Sequence, residues 1–325
     1  MRQTPSTSAD GSAVARTAAK SSEVSSADAR PAASNAASGD GATRLRALLA
    51  LEKIAPGDPV AASKRRTLLL EWLREDFSAA LAYCRATQSE DLADPVVAQF
   101  VAQGATIDQL AELISGASSP LAVSRNLCEG AGVAKVQQLV AQTAGRYTGF
   151  AAQGFAAAVG GYLASKNIDA AIAFAVSRPG GELQATALAS VVNQLGTEGK
   201  VSEAQLLYGT LDPAVRDTDP VKSAYGQSLH DADPELALGM LFSIADPATK
   251  REALVAFAQK IEANQPSVAV SALLAAGLSP EKQNAQVERI VTEWAHVDLA
   301  AAQEFLEKNA ALSGELRDRL RAKIR

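Results

Sequence analysis

The side chains best equipped to move protons are two histidines, each set close to a carboxylate. His230 precedes Asp231 and Asp233 in SLHDADPE, and His296 stands two residues before Asp298 in EWAHVDLA. An imidazole oriented by a carboxylate can serve as a general base. The same aspartates also stand where a helix would begin, and there a carboxylate caps exposed amides. Both histidines therefore read as residues of parallel inter-helix turns, and no catalytic residue is assigned. No Gly-x-Ser-x-Gly, phosphate loop, dinucleotide fingerprint or Cys-x-x-Cys occurs. RPGGE at residues 178–182 puts a glycine pair in a turn, but no Lys or Ser/Thr follows at phosphate-loop spacing. It reads as a loop between repeats. Cys84 and Cys128 are far apart and, with the two histidines, form no ligand pattern. They read as buried structural thiols, with a single disulfide as the alternative. No metal and no cofactor is expected.

The elements that carry these residues announce themselves by repetition. Ala171, Ala204, Ala237, Ala269 and Ala302 follow one another at steps of 33, 33, 32 and 33 residues. Each lies in or just after a short polar turn, as in KNIDAA, GKVSEA and ADPELA. A fixed period of this length in an Ala- and Leu-rich chain is the mark of stacked helix pairs. The predicted fold is all-α: a solenoid of antiparallel helix pairs.

The pattern extends backwards. Ala80 in EWLREDFSAA and Ala302 in EWAHVDLAAA share Glu, Trp, Asp and an alanine pair at identical offsets. Trp72 and Trp294 stand eight residues before these anchors, where other repeats have Leu163, Leu229 and Ile261. Four residues earlier come Leu68, Val159, Val192, Tyr225, Phe257 and Ile290, all apolar. Positions one turn apart share a helix face, so these two should pack on the second helix of each pair. Trp72 and Trp294 are predicted to be equivalent core positions. Leu110 and Val136 are plausible anchors in the less regular stretch between Ala80 and Ala171.

The punctuation agrees. Asp-Pro occurs with prolines 59, 95, 213, 220, 234 and 247, and Ser-Pro with prolines 120 and 280. An Asp or Ser cap followed by a pre-organised Pro marks a helix start. Eight of the thirteen prolines are thus predicted to open helices.

Composition narrows the function. Hydrophobic residues make up 47% of the chain but aromatics only 5%, which suits closely packed helices better than a sheet. The net charge of −5, from 31 basic and 36 acidic side chains, is mixed along the sequence. Without a concentrated basic stripe, no nucleic-acid partner is expected. Residues 149–165 are the most apolar stretch, too short and too rich in Gly and Ala for a membrane span. Their small side chains should let one helix pack tightly on the next. Residues 1–42 contain no Leu, Ile, Phe, Tyr or Trp and are predicted to form a disordered Ala/Ser-rich tail or linker, with order from 43 to 325. The last helix, ELRDRLRAKIR, ends basic, which complements a helix dipole and lets a polar helix close the stack. A basic patch for a partner is the sharper reading of the same helix.

KNIDAA and GKVSEA resemble the turn between helices A and B of the tetratricopeptide repeat family, and Tyr162 and Leu195 match its large apolar position late in helix A. The likeness is best over residues 155–211 and extends over roughly residues 61–325. The period is nearer 33 than the family's 34, and the usual glycine of helix A is missing or displaced. The resemblance implies a right-handed α-α superhelix whose A helices line a concave groove that binds a protein or peptide. It places Asn193 and Lys222 as peptide-binding residues, with Gly160, Gly226, Ala156, Ala189 and Ala258 around them. Such a groove would be shallow-walled and suited to an apolar or helical segment. The expected function is a non-catalytic scaffold in the cytoplasm. The alternatives are a ligand- or lipid-binding helical domain, and a periplasmic tether whose membrane anchor lies outside this sequence.

Overall fold

A computed structural model describes residues 39–52, 58–143 and 145–324. Among these residues the chain is all-α, with no strand. The predicted tail lies outside the described residues as far as position 38; the first helix, α1 (Gly39–Glu52), begins four residues before the predicted onset of order at 43. Seven longer helices are each followed by a shorter one: α2 (Pro59–Glu75) by α3 (Phe77–Ala86), and α4 (Pro95–Gly104) by α5 (Ile107–Ser115). After α6 (Pro120–Thr143) come α7 (Gly149–Lys166) with α8 (Ile168–Val176), and α9 (Glu182–Thr197) with α10 (Val201–Thr210). A single turn, α11 (Pro213–Arg216), precedes α12 (Asp219–Ser228) with α13 (Pro234–Phe242). Then follow α14 (Pro247–Ile261) with α15 (Pro266–Ala275), α16 (Pro280–Val297) with α17 (Leu299–Lys308), and α18 (Gly314–Lys323). Helix α6 forms a pair by itself, because Gly132 at φ 78° breaks it into two arms.

The anchors mark one structural position. All eight (Ala80, Leu110, Val136, Ala171, Ala204, Ala237, Ala269 and Ala302) are completely buried. Each is the fourth residue of its second helix, counting from Val133 in the broken helix α6. In seven of them the backbone N–H donates to the carbonyl of the helix's N-cap residue at 2.9–3.1 Å. The caps Asp76, Asn167 and Asp298 also end the preceding helix, while Asp233 and Gln265 close the short turn that follows it. Their N–H groups donate to the carbonyls of Trp72, Leu163, Leu229, Ile261 and Trp294 at 2.6–2.9 Å. At Asp76, Asn167 and Asp298 one residue thus satisfies the end of one helix and the start of the next, leaving room for only a tight corner. In four of these corners the Asp or Asn side chain also accepts the N–H three residues on, from Ala79, Ala170, Leu236 and Ala301. A small residue at the anchor lets the second helix fold back closely onto the first.

The prolines open helices as predicted, at the first residue of α2, α4, α6, α11, α13, α14 and α16 and at the second of α12. Pro266 opens α15 as well, behind Gln265 rather than Asp or Ser. Carboxylates cap at Asp58, Asp94, Asp212, Asp233 and Asp246. Asp219 is an exception: it is the first residue of α12, and its carboxylate accepts the backbone N–H groups of Ala245 and Asp246 at 2.9 and 2.8 Å. It ties the start of α12 to the start of α14. Ser279 stands at the N-cap of α16 without a side-chain bond.

Longer helices pack on longer helices along the chain: α2 on α4, α4 on α6, α6 on α7, α7 on α9, α9 on α12 and α12 on α14. Small residues set the closest approaches. A Cβ on Gly160 of α7 would lie 2.8 Å from the Ala187 carbonyl oxygen of α9, and one on Gly154 would lie 2.6 Å from Leu121 N of α6. Gly196 of α9 meets Ser228 of α12 in the same way, at 2.5 Å. The small-residue segment predicted to permit tight packing is therefore α7. Lys135 adds a polar staple, its Nζ donating to the carbonyls of Ala102 and Ala105, both at 2.6 Å, at the end of α4. A cation there complements both the unpaired carbonyls and the helix dipole.

The two tryptophans share a backbone role but not a degree of burial. Trp72 is 4% exposed and packs on Tyr83, with ring centroids 5.6 Å apart. Trp294 is only half-buried and packs on Phe305 at 5.3 Å, so the predicted equivalence in the core does not hold. The position one turn earlier holds better: Val159, Val192, Tyr225, Phe257 and Ile290 are buried, and Leu68 is partly so. At the C-terminal end, Leu316, Leu320 and Ile324 bury the apolar side of α18. Lys323 and Arg319 both reach Glu288 of α16, and Arg317 donates to the Asn309 carbonyl at 2.8 Å. Much of that helix's basic charge is thus held within the chain.

Candidate functional site

The two histidines sit in different settings. His230 lies in the turn after α12, its Nδ1 2.8 Å from the Gln227 carbonyl oxygen and its Nε2 3.1 Å from Asp231 Oδ2. Asp233 does not orient it, because that carboxylate caps α13. His296 is exposed in the last turn of α16, so the two histidines do not occupy parallel turns as predicted. The cause is register: His230 precedes its anchor by seven residues and His296 by six. Among the described residues, no three His, Cys, Asp or Glu side chains gather as a metal site would require. In the glycine-pair loop, Arg178 lies over the Phe174 ring at 4.5 Å and donates to the Phe174 carbonyl.

Cys84 and Cys128 are free and buried, as the first of the two readings holds. Burial pushes both thiols up, from 9.0 to about 12, with Asp91 and Glu129 adding smaller increments. The thiolate is the reactive form, so neither should react with an aromatic disulfide reagent in the folded protein at mildly alkaline pH. Both should react rapidly in guanidinium chloride. Rapid labelling of either under native conditions would place that thiol at the surface.

The side chains that converge on an open surface belong to α9, α12 and α14. A shallow cavity of about 340 Å³ lies between these helices. Thr186, Ser190 and Asn193 line it from α9, Ser223 and Gln227 from α12, and Thr249 from α14. The polar groups are hydroxyls and carboxamides, with no formal charge among them. Pro220, Ala189 and Ala224 supply the apolar lining. Gln227 is 7% exposed; its Nε2 donates to the Ala253 carbonyl at 2.6 Å, and its Oε1 has no partner. A buried acceptor without a partner is costly, which makes Gln227 the least satisfied side chain of this surface.

Of the two predicted peptide-binding residues, Asn193 is exposed and lines this groove. Lys222 does not. It is half-buried, and its Nζ donates to the Ser243 carbonyl at 3.3 Å at the end of α13. The structure therefore does not bring the pair together in one cavity. The predicted surroundings also change. Gly160, Gly226, Ala156 and Ala258 are buried between helices, and only Ala189 lines the groove. Close helix packing consumes small residues, so they form the interface and leave longer polar side chains at the surface. Ser190, Ser223 and Gln227 were not singled out in the sequence. Residues 186, 190 and 193, and residues 220, 223, 224 and 227, do recur at helical spacing. A search for apolar periodicity alone passes over such a polar stripe.

No helix among the described residues is long and apolar enough to cross a membrane. Compared with family models, with curated proteins and with solved structures, the chain matches none of them.

Proposed function

We propose that this chain is a non-catalytic, tetratricopeptide-like solenoid that binds a protein or peptide along the surface of its longer helices. The observation that carries the proposal is the uncharged groove between α9, α12 and α14, where hydroxyls and carboxamides from three longer helices face one open space. Eight anchors at one helical position, all fully buried, support the repeat reading that underlies it. Groups of this kind can pair with main-chain amides and carbonyls of an extended peptide. They give no charge to clamp a terminal carboxylate, so the preferred ligand is an internal, neutral polar segment. A cytoplasmic scaffold is the matching cellular role.

The test is selection from a random peptide library on the full chain, followed by binding of the selected peptides to variants. Asn193→Ala should weaken binding about tenfold, as for a central hydrogen-bonding residue, and Lys222→Ala should change it little. Equal binding by the wild type and Asn193→Ala, together with no loss on Ser190→Trp, would remove the groove from consideration.

A second reading rests on a cavity of about 560 Å³ between α1 and α2, lined by Ala47, Ala50, Leu51 and Leu68 together with Ser63, Lys64, Thr67 and Glu71. Its size and apolar lining suit a small ligand or an acyl chain. A molecule copurifying with the chain and released by Leu68→Trp would favour that function over the scaffold.

A further inference from the structure

A second face of the molecule, built by the shorter helices, combines exposed apolar side chains with one sign of charge. Between α13, α15 and α17 lies an open groove of about 420 Å³, whose apolar lining includes Leu238, Phe242, Val268 and Phe305. Phe242 is 43% exposed and its neighbour Leu236 is 45% exposed. Gly239 leaves the floor open, with nothing within 4 Å of where its Cβ would stand. Elsewhere on the shorter helices, Leu206 of α10 and Val176 of α8 are 71% and 55% exposed. Large apolar side chains gathered around one open groove are unusual for a surface without a partner.

The charge on the same helices is one-sided. Helices α8, α10, α13 and α15 contain no lysine or arginine, while Asp169, Glu203 and Glu235 are exposed on the first three. The only charged residue lining the groove is Glu235. The one cation on α17, Lys308, is held by Glu304.

We propose that this groove, with Glu235 as its charged lining residue, docks an amphipathic helix that carries lysine or arginine beside its apolar face. The apolar floor takes the hydrophobic side of the helix, and Glu235, on a helix without lysine or arginine, sets the sign of the flanking charge. An acidic segment or an anionic membrane surface is repelled by the same charge. The inference does not depend on the polar groove between α9 and α12.

Trp294 provides the readout, because it packs on Phe305 at 5.3 Å and Phe305 lines the groove. In the full chain carrying Trp72→Phe it becomes the sole indole. The probes are a leucine–lysine helical peptide of about five turns, roughly 18 residues, a leucine–glutamate peptide of the same pattern, and phosphatidylglycerol vesicles. The leucine–lysine peptide should shift Trp294 emission saturably, less so as salt is raised; the other two should not. Glu235→Lys and Phe242→Ser should each weaken its binding about tenfold, as loss of a central contact does. Asn193→Ala should leave it unchanged. An equal response to both peptides, a response to vesicles, or indifference to Glu235→Lys would overturn the proposal. So would peptide-free self-association that Phe242→Ser abolishes, since a second copy would then be the occupant. Glu235 is exposed, so its variant keeps the test decisive even if Phe242→Ser fails to fold.

Discussion

Trp72→Ala is expected to cost about 3–5 kcal/mol, the range for truncating an enclosed aromatic side chain. Trp294→Ala should cost roughly 1–2 kcal/mol, because only part of that indole leaves water. The two side chains follow the same local rule. Each carbonyl accepts from the aspartate that caps the next helix, and each ring leans on an aromatic three residues past the anchor. What differs is the cover, since Trp72 is fully enclosed and Trp294 lies half open beside a cavity of about 360 Å³. Urea unfolding of the two variants measures the difference directly. Equal losses would mean that the corner, and not enclosure, determines the contribution of the ring. A further contrast lies within Trp72 itself, whose buried Nε1 has no hydrogen-bond partner. Trp72→Phe removes that unsatisfied donor along with some volume, so its cost should fall well below that of Trp72→Ala.

Gly160→Val should destabilise the chain by about 3 kcal/mol, near the upper end for overpacking a close contact. The Cβ would enter within 2.8 Å of the Ala187 carbonyl oxygen and 3.5 Å of the Ala187 C and Cα, and valine adds two further methyl groups to that contact. Gly239→Ala makes the opposing control. Its methyl group meets nothing, and replacing a helical glycine should stabilise by roughly 0.5–1 kcal/mol. Melting temperatures of the two variants should therefore move in opposite directions. A neutral Gly160→Val would show that α7 and α9 can separate without loss.

The helices were legible in the sequence because the signals that set them are local. Asp58, Asp94, Asp212, Asp233 and Asp246 cap within three residues of themselves, and prolines mark the same starts. The anchor alanines were legible because burial at one helical position leaves a period. Asp219 was misassigned because its partners, the amides of Ala245 and Asp246, lie 26 and 27 residues further on. Lys222 was placed in a groove by resemblance, yet a carbonyl at Ser243, 21 residues away, holds its ammonium. Nothing in the neighbouring residues announces either contact. The polar groove itself was hidden for a different reason. Ser190, Ser223 and Gln227 carry no apolar periodicity, and the small residues expected to line it were taken up between helices.

The close approach at Gly160 also limits how this region can change over time. Where a glycine faces a side chain, as Gly104 faces the ring of Phe77 at 2.7 Å, a larger residue can be accommodated by shrinking its neighbour. Gly160 faces a carbonyl oxygen, and every amino acid at position 187 carries that same atom. No second-site replacement at the facing position can restore the lost space. Substitutions at 104 should therefore yield suppressors at 77, whereas a genetic screen starting from a lesion at 160 should return only reversion or remodelling of a whole helix.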